Sequence, residues 1–120
     1  MDEKAYLTEL KEKVKNFCEE RDWDQFHNAK DLAIGIITEA SELLELFRFK
    51  TEKQVGDMFK NEIKRKEICE ELSDVLFFIL RLAQRYDIDL TKELEDKIRK
   101  NGERYPIEKS KGSNKKYSEC

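Results

Sequence analysis

The stretch Glu71-Leu-Ser-Asp-Val-Leu-Phe-Phe-Ile-Leu80 joins two carboxylates to an unbroken apolar run. From position 75 onward, a helix made of these residues is hydrophobic on every side, and such a helix is buried all round. A chain of 120 residues can hardly surround it, because a small domain has only a modest core. The stretch therefore predicts a long helix over about residues 62–86, with one face covered by another subunit.

The carboxylates of this stretch repeat a spacing found upstream, in Glu39-Ala-Ser-Glu42. In each motif the two acids are three residues apart, so on a helix they share one face. Composition weakens the spacing as a signal, because 27 acidic residues among 120 produce roughly six such pairs by chance. The apolar context is more informative, since no Lys or Arg lies one turn away to neutralise the acids. Uncompensated carboxylates repel unless protonated or metal-bound, and oxygen ligands suit Mg²⁺ or Mn²⁺.

Apolar periodicity predicts an all-α chain of four helices. The predicted helices cover about residues 3–21, 28–49 and 62–86, and a fourth, capped by Asp89 or Thr91, ends before Pro106. Asn28 is the expected N-cap of the second helix. The second and third helices form an antiparallel hairpin in this prediction, so that their acidic motifs face each other.

The remaining segments are predicted to be connections. Residues 22–27 form an aromatic and polar loop, and residues 50–61, which contain Gly56, form a second loop. We expect a single domain over residues 1–106 and a polar C-terminal tail over residues 107–120.

Charge, cysteine content and motifs argue against several classes of protein. The net charge of −3 disfavours nucleic-acid binding, and the longest apolar run is too short to span a membrane. Three cysteines without a CxxC pair favour a reducing compartment and argue against a zinc site. The N-terminal residues do not resemble a signal peptide, so a cytoplasmic location is expected. A di-iron carboxylate bundle needs Glu-x-x-His motifs, whereas the one histidine, His27, lies in a predicted loop.

Four segments together resemble a known family. They are Glu20-Arg-Asp-Trp-Asp-Gln-Phe-His27, Glu39-Ala-Ser-Glu-Leu-Leu-Glu-Leu-Phe47, Glu70-Glu-Leu-Ser-Asp-Val75 and Asn101-Gly-Glu-Arg-Tyr-Pro106. In order and spacing they resemble the all-α MazG-like nucleoside triphosphate pyrophosphohydrolases, and most closely their dCTP pyrophosphatase branch. The similarity extends over about residues 10–117.

This resemblance implies a Mg²⁺-dependent hydrolase, with Mn²⁺ as a substitute, that splits a nucleoside triphosphate between the α- and β-phosphates. The implied metal ligands are Glu39, Glu42, Glu71 and Asp74. Glu45 extends the same acidic face, either to bind a further metal or assist the attacking water, or as an outer-shell or surface charge. The best substrate prediction is dCTP or a modified dCTP, in a homotetramer built as a dimer of dimers.

The resemblance also assigns a pocket for the base. Its members are Trp23, Asp24, Gln25, Phe26, His27, Phe49 and Phe78. Two aromatic rings can sandwich a base and a neighbouring polar group can hydrogen-bond to it. The alternative is that Trp23 and Phe26 only plug the end of the hairpin. At Phe49 and Phe78 the animal enzymes carry Trp and Tyr. This chain therefore keeps an aromatic surface for stacking but lacks the polar indole N–H and hydroxyl groups.

A set of residues on the fourth helix is assigned to the phosphates. Lys97, Asn101 and Arg104 share one helix face and Tyr105 follows; the alternative is a solvated basic helix end. Lys116 and Tyr117 resemble the tail of the family, which predicts that the tail folds back over the site or a neighbour.

Two other functions stay open at this point. One is a non-catalytic helical binding or regulatory module with vestigial acids. The other is a pyrophosphohydrolase of broad specificity acting on damaged or purine nucleotides.

Overall fold

The computed structural model describes residues 1–114, and every regular element in this part of the chain is helical. The α-helices are α1 (Leu7–Glu19), α2 (Ala29–Phe47), α3 (Glu52–Met58), α4 (Glu62–Arg85), α5 (Leu90–Arg104) and α6 (Ile107–Ser110), and a 3₁₀ helix (Trp23–Phe26) follows α1. The all-α class predicted from periodicity is therefore confirmed. Within the described residues, no helix combines the length and the apolar character needed to cross a bilayer.

The chain divides into two compact units. The first unit is Met1–Asp87 and contains α1 to α4, and the second unit begins at Ile88 and contains α5 and α6. The acidic motifs lie in the first unit, whereas the basic positions of α5 lie in the second. The domain boundary at residue 106 stays a prediction.

Residues 1–114 contain six α-helices where four were predicted for the chain, because two short helices occupy segments expected to be irregular. Residues 50–61 were predicted to be a loop, and that prediction is wrong. Thr51 begins α3 with a capping box, in which its hydroxyl accepts a hydrogen bond from the Gln54 amide at 3.1 Å. In return, the Gln54 side chain accepts one from the Thr51 amide at 2.9 Å. These two bonds satisfy N–H groups that a helix start otherwise leaves unpaired, so a single Gly56 does not prevent the helix.

The second short helix, α6, follows Pro106, whose fixed φ of −63° suits a helix start. It lies in the segment predicted to be a polar tail. Residues 115–120 lie outside the described part of the chain, and so does the predicted role of Lys116 and Tyr117.

The start of α2 is held by two side chains. Asn28 is the N-cap as predicted, since its Oδ1 accepts a hydrogen bond from the Asp31 amide at 2.8 Å. The next amide, that of Ala29, donates to the hydroxyl of Tyr86 at 2.9 Å. Because Tyr86 follows the last residue of α4, this bond ties the first turn of α2 to the end of α4.

The core of the first unit lies where α4 packs on α1 and α2. Its buried apolar residues are Cys18, Leu32, Met58, Ile68, Leu80 and Ala83. One side of α4 is left open, since Leu72 and Leu76 are 57% and 44% exposed. A single chain thus leaves part of the apolar run of α4 uncovered, and the covering subunit stays a prediction.

Candidate metal and substrate site

Three carboxylates converge between α2 and α4. One carboxylate oxygen each from Glu39, Glu42 and Glu71 lies within 4.8 Å of the other two. The Oε2 atoms of Glu39 and Glu71 are buried, and neither has a hydrogen-bond partner among the described residues. A buried carboxylate oxygen without a donor is costly. The donor set therefore fits a divalent cation, for which oxygen ligands are preferred.

The raised pKa values of two of these carboxylates show that burial and the repulsion between negative charges disfavour their ionised forms. Burial, followed by the nearby Glu42 carboxylate and the charges of Asp74 and Glu71, raises the pKa of Glu39 to about 7. Burial and the Glu42 carboxylate also raise the pKa of Glu71. A bound cation reverses both effects, because it stabilises the ionised form.

Asp74 and Glu45 are the two further acids predicted for the site. Asp74 is exposed and is not part of the tight group, although its charge acts on both Glu39 and Glu71. Its role as a ligand stays a prediction. Glu45 forms an ion pair with Arg48 at 3.0 Å on the exposed side of α2. That contact favours the surface-charge alternative, and a role for Glu45 in metal binding or water activation stays a prediction.

Phe78 lies against the backbone of α2. A methyl group added at Gly35 would meet two carbons of the Phe78 ring at 2.6 Å, so this approach depends on the missing side chain. The start of α2 is bonded to the residue after α4 through Ala29 and Tyr86, and Glu42, later on α2, approaches Glu71, earlier on α4. The two helices therefore run antiparallel. Phe78 was predicted to stack on the base, and here it is half-buried between the two helices.

The segment before α2 is anchored by a residue that the sequence analysis missed. Arg81 is fully buried, with 0% exposure, and its guanidinium faces the 3₁₀ helix. Its Nε donates to His27 Nδ1 at 2.9 Å, and its Nη1 donates to the Gln84 side chain at 2.7 Å. Its Nη2 forms an ion pair with Asp24.

A sequence signal for Arg81 did exist. It is the first charge after the apolar run of α4, and it lies seven residues, or two turns, beyond Asp74. The two therefore share one face of the helix. Arg85, one turn further on, approaches the backbone oxygens of His27 and Asp24 at 3.4 and 3.5 Å.

These contacts change the titration of both partners. The hydrogen bond from Arg81 lowers the pKa of Asp24, which is thereby held as a carboxylate. Burial and the Arg81 charge lower the pKa of His27, so its imidazole is held neutral. Two predicted pocket residues are thus fixed to α4 from within the same unit.

The remaining residues of the loop differ in exposure. Trp23 is half-buried and packs edge-on against Phe17 at 5.6 Å and against His27 at 5.9 Å between ring centroids. Phe26 is 60% exposed. Gln25 is also exposed, and it donates to the backbone oxygen of Asp22 at 2.9 Å. Trp23 thus holds the loop in place, as the packing alternative requires, while Phe26 is presented to solvent.

Phe49 lies at the surface, beyond the end of α2. It is 91% exposed and has a φ of +63°, in the left-handed region that bulky residues seldom adopt. The Arg48 guanidinium lies 4.6 Å from the centre of its ring. Among the described residues no other ring contact is made by Phe49, so its place in the base pocket stays a prediction.

The phosphate-binding residues predicted on the fourth helix lie in the second unit. Lys97, Asn101 and Arg104 are on α5, and Tyr105 follows its last residue. Two neighbouring cations, Lys92 and Arg99, pair with Asp96 at 3.0 and 2.7 Å. A contact between α5 and a triphosphate stays a prediction.

Comparison with known proteins gives concordant matches. Residues 34–120 match the MazG-like family. The protein dCTP pyrophosphatase 1 of Rattus norvegicus is 36% identical over 113 residues, which are 94% of this chain and 66% of the rat protein. The Homo sapiens protein of that name is also 36% identical, over the same shares of the two chains. This chain therefore spans 66% of the length of these relatives.

A solved structure agrees with these sequence matches. The crystal structure of a pyrophosphatase from Archaeoglobus fulgidus superposes with a TM-score of 0.78 at 30% identity. The superposition covers 85% of this chain and 94% of the archaeal one.

Proposed function

This chain belongs to the MazG-like family, and on that premise we propose that it is a Mg²⁺-dependent nucleoside triphosphate pyrophosphohydrolase. The reaction is hydrolysis between the α- and β-phosphates, which yields a nucleoside monophosphate and pyrophosphate. The observation that carries the proposal is the group of three carboxylates with two buried, unpartnered oxygens. The similarity to dCTP pyrophosphatase 1 supports dCTP or a modified dCTP as the substrate, and nucleotide-pool housekeeping as the role.

The proposed ligands of the metal are Glu39, Glu42, Glu71 and Asp74. When bound, Mg²⁺ neutralises triphosphate charge and lowers the pKa of a water that attacks phosphorus. The buried Oε2 atoms of Glu39 and Glu71 attract a cation more strongly than exposed oxygens would, because charges interact more strongly where water is excluded. Both Mg²⁺ and Mn²⁺ suit such an oxygen-only set.

The base is proposed to bind at the loop before α2. Phe26 offers an exposed aromatic face, and the neighbouring His27 offers a polar group whose position is fixed by Arg81. Stacking with a polar contact at one edge is how aromatic residues generally hold planar ligands. On the strength of the resemblance, Phe49 is also proposed to contact the base. The phosphates are proposed to bind Lys97, Asn101, Arg104 and Tyr105.

The assembly is proposed to be a homotetramer formed as a dimer of dimers, within which the α2/α4 hairpin of a four-helix bundle carries the metal. The exposed Leu72 and Leu76 support at least a dimer, because burying such a surface against a second copy removes it from water. A cytoplasmic location, with no nucleic-acid or membrane partner, is the proposed setting.

A non-catalytic binding module is the second candidate. Two observations favour it: Asp74 is exposed, and Glu45 is paired with Arg48. The close group then consists of three carboxylates instead of the predicted set of four or five. Such a module would bind nucleotides without releasing pyrophosphate.

Pyrophosphate release from a panel of nucleoside triphosphates, measured with and without Mg²⁺, tests the proposal. We expect release that requires the metal and is greatest for a cytosine deoxynucleotide. Glu39→Gln should lower the rate at least a hundredfold, while the exposed neighbour Glu70→Gln should leave it within twofold. Nucleotide binding without release by the wild type would favour the binding module, and turnover of damaged or purine nucleotides would favour broad specificity.

A further inference from the structure

The buried guanidinium of Arg81 makes one contact that a purely structural arginine does not need. Asp24 neutralises its charge and Gln84 accepts a second hydrogen bond. The Nε–H is directed at the ring nitrogen Nδ1 of His27, at 2.9 Å. Burying a guanidinium is costly unless its donors are satisfied, and here an imidazole is one of the acceptors.

This contact specifies where the imidazole carries its proton. Arginine is always protonated and only donates, so Nδ1 must present a lone pair. A neutral imidazole has a single N–H, which is then on Nε2. Among residues 1–114 no hydrogen bond to Nε2 is made, so this donor is available to a ligand.

We propose that Arg81 is a positioning residue, which fixes His27 as a neutral Nε2–H donor toward an uncharged acceptor of the nucleobase, a carbonyl oxygen or a ring nitrogen. The inference rests on the proposed function, because that function makes the ligand a nucleotide. A neutral donor beside an exposed aromatic ring suits a base better than a phosphate, for which a cation is the stronger partner.

The charged groups around His27 support a fixed protonation state. Arg81 and Arg85 approach it from α4, and both oppose a second positive charge. Asp24, which approaches from the 3₁₀ helix, favours the charged form, but its carboxylate is already paired with Arg81. A protonated imidazole would also have to turn an N–H toward the Arg81 Nε–H, which removes the hydrogen bond.

His27 is the only histidine of the chain, so its ring can be observed without assignment ambiguity. In ¹⁵N-labelled wild-type protein with Mg²⁺, long-range ¹H–¹⁵N spectra should show the Nε2–H tautomer throughout about pH 5.5 to 7.5, one unit on either side of the ordinary histidine pKa. Addition of the non-hydrolysable probe α,β-imido-dCTP should shift the Nε2 and Hε1 signals. An Nδ1–H tautomer, an ordinary titration or an unshifted signal with bound probe would overturn the proposal, whether or not any variant folds.

Arg81→Lys keeps the charge beside Asp24 but loses the Nε donor, and Arg65→Lys makes the same change at an exposed site on α4. We expect the Arg81 variant to show mixed tautomers and a KM raised about tenfold, with kcat within twofold. Its KM should also vary with pH, and the Arg65 variant should behave as wild type. An unchanged tautomer would assign Arg81 a structural role alone. Wild-type protein that releases no pyrophosphate would instead refute the proposed function, while the tautomer still decides the role of Arg81.

Discussion

The ring of Phe78 on α4 lies against the bare backbone of Gly35 on α2, where an added methyl group would be 2.6 Å from two ring carbons. On α2 this contact lies one turn from the acid cluster, since Glu39 is four residues from Gly35, and on α4 it lies two turns away, since Glu71 is seven residues from Phe78. The separation of α2 and α4 near the carboxylate cluster thus depends on a residue with no side chain.

Gly35→Ala is therefore expected to destabilise the protein, even though alanine is the better helix former by about 1 kcal/mol. Overpacking generally costs about 1–3 kcal/mol, and the ring that the methyl group would meet is half-buried between the two helices. Urea unfolding measures the change. Gly56→Ala is the matched control, since nothing lies within 4 Å of its added methyl group, and it should be neutral or stabilising. Equal stabilisation of both variants would mean that Phe78 shifts freely.

The metal-free protein should lose stability as the pH rises from about 4.5 to 7. The ordinary pKa of the Glu39 carboxyl is 4.5 and its folded value is about 7, so the folded state holds the proton more tightly in this interval. Below pH 4.5 both states are protonated, and the full stability is present. Denaturation in EDTA across this range measures the slope, and saturating Mg²⁺ should remove it. A flat profile in EDTA would contradict the raised pKa.

Glu39→Gln should separate stability from metal binding. In EDTA at pH 8 the variant should unfold at a higher temperature than wild type, because the amide removes a carboxylate that Glu42, Asp74 and Glu71 repel. Addition of Mg²⁺ should raise the melting temperature of the wild type but not that of the variant. Glu70→Gln, which changes the residue immediately before Glu71, should respond to Mg²⁺ as the wild type does. A variant that is less stable than wild type in EDTA would contradict the repulsion.

Thr51→Ala should destabilise α3 by about 1 kcal/mol, the usual loss on removing an N-cap hydroxyl. The hydroxyl accepts from the Gln54 amide, which is left without that partner in the variant. Urea denaturation measures the loss, and Thr51→Ser, which keeps the hydroxyl, should remain close to wild type. An equal loss in both variants would show that the Thr51 methyl group matters and the cap does not.

Local signals were sufficient for much of this protein. Periodicity predicted the all-α class, and Asn28 was identified as a cap from its residue type and position. The isolation of four acids in apolar segments predicted one cluster, and the structure brings three of them together, Glu39, Glu42 and Glu71, while Asp74 lies outside the tight group. The helices and the cap follow from interactions over three or four residues, which the order of residues displays directly, whereas the approach of Glu71 to Glu42 also required α4 to pack on α2. The short α3 was missed because its capping box competes with a glycine, and propensity alone does not decide such a balance.

Contacts between distant segments were decided only by the tertiary structure. Arg81 and His27 are 54 residues apart, and nothing local to either predicts that one sets the proton position of the other. Ala29 and Tyr86, which are 57 residues apart in the sequence, form another such long-range hydrogen bond. The sequence by itself thus determined which residue types are available for metal and base binding. The packing of α2 on α4 decided which of them meet, because register and burial are properties of the packed helices and of no single segment.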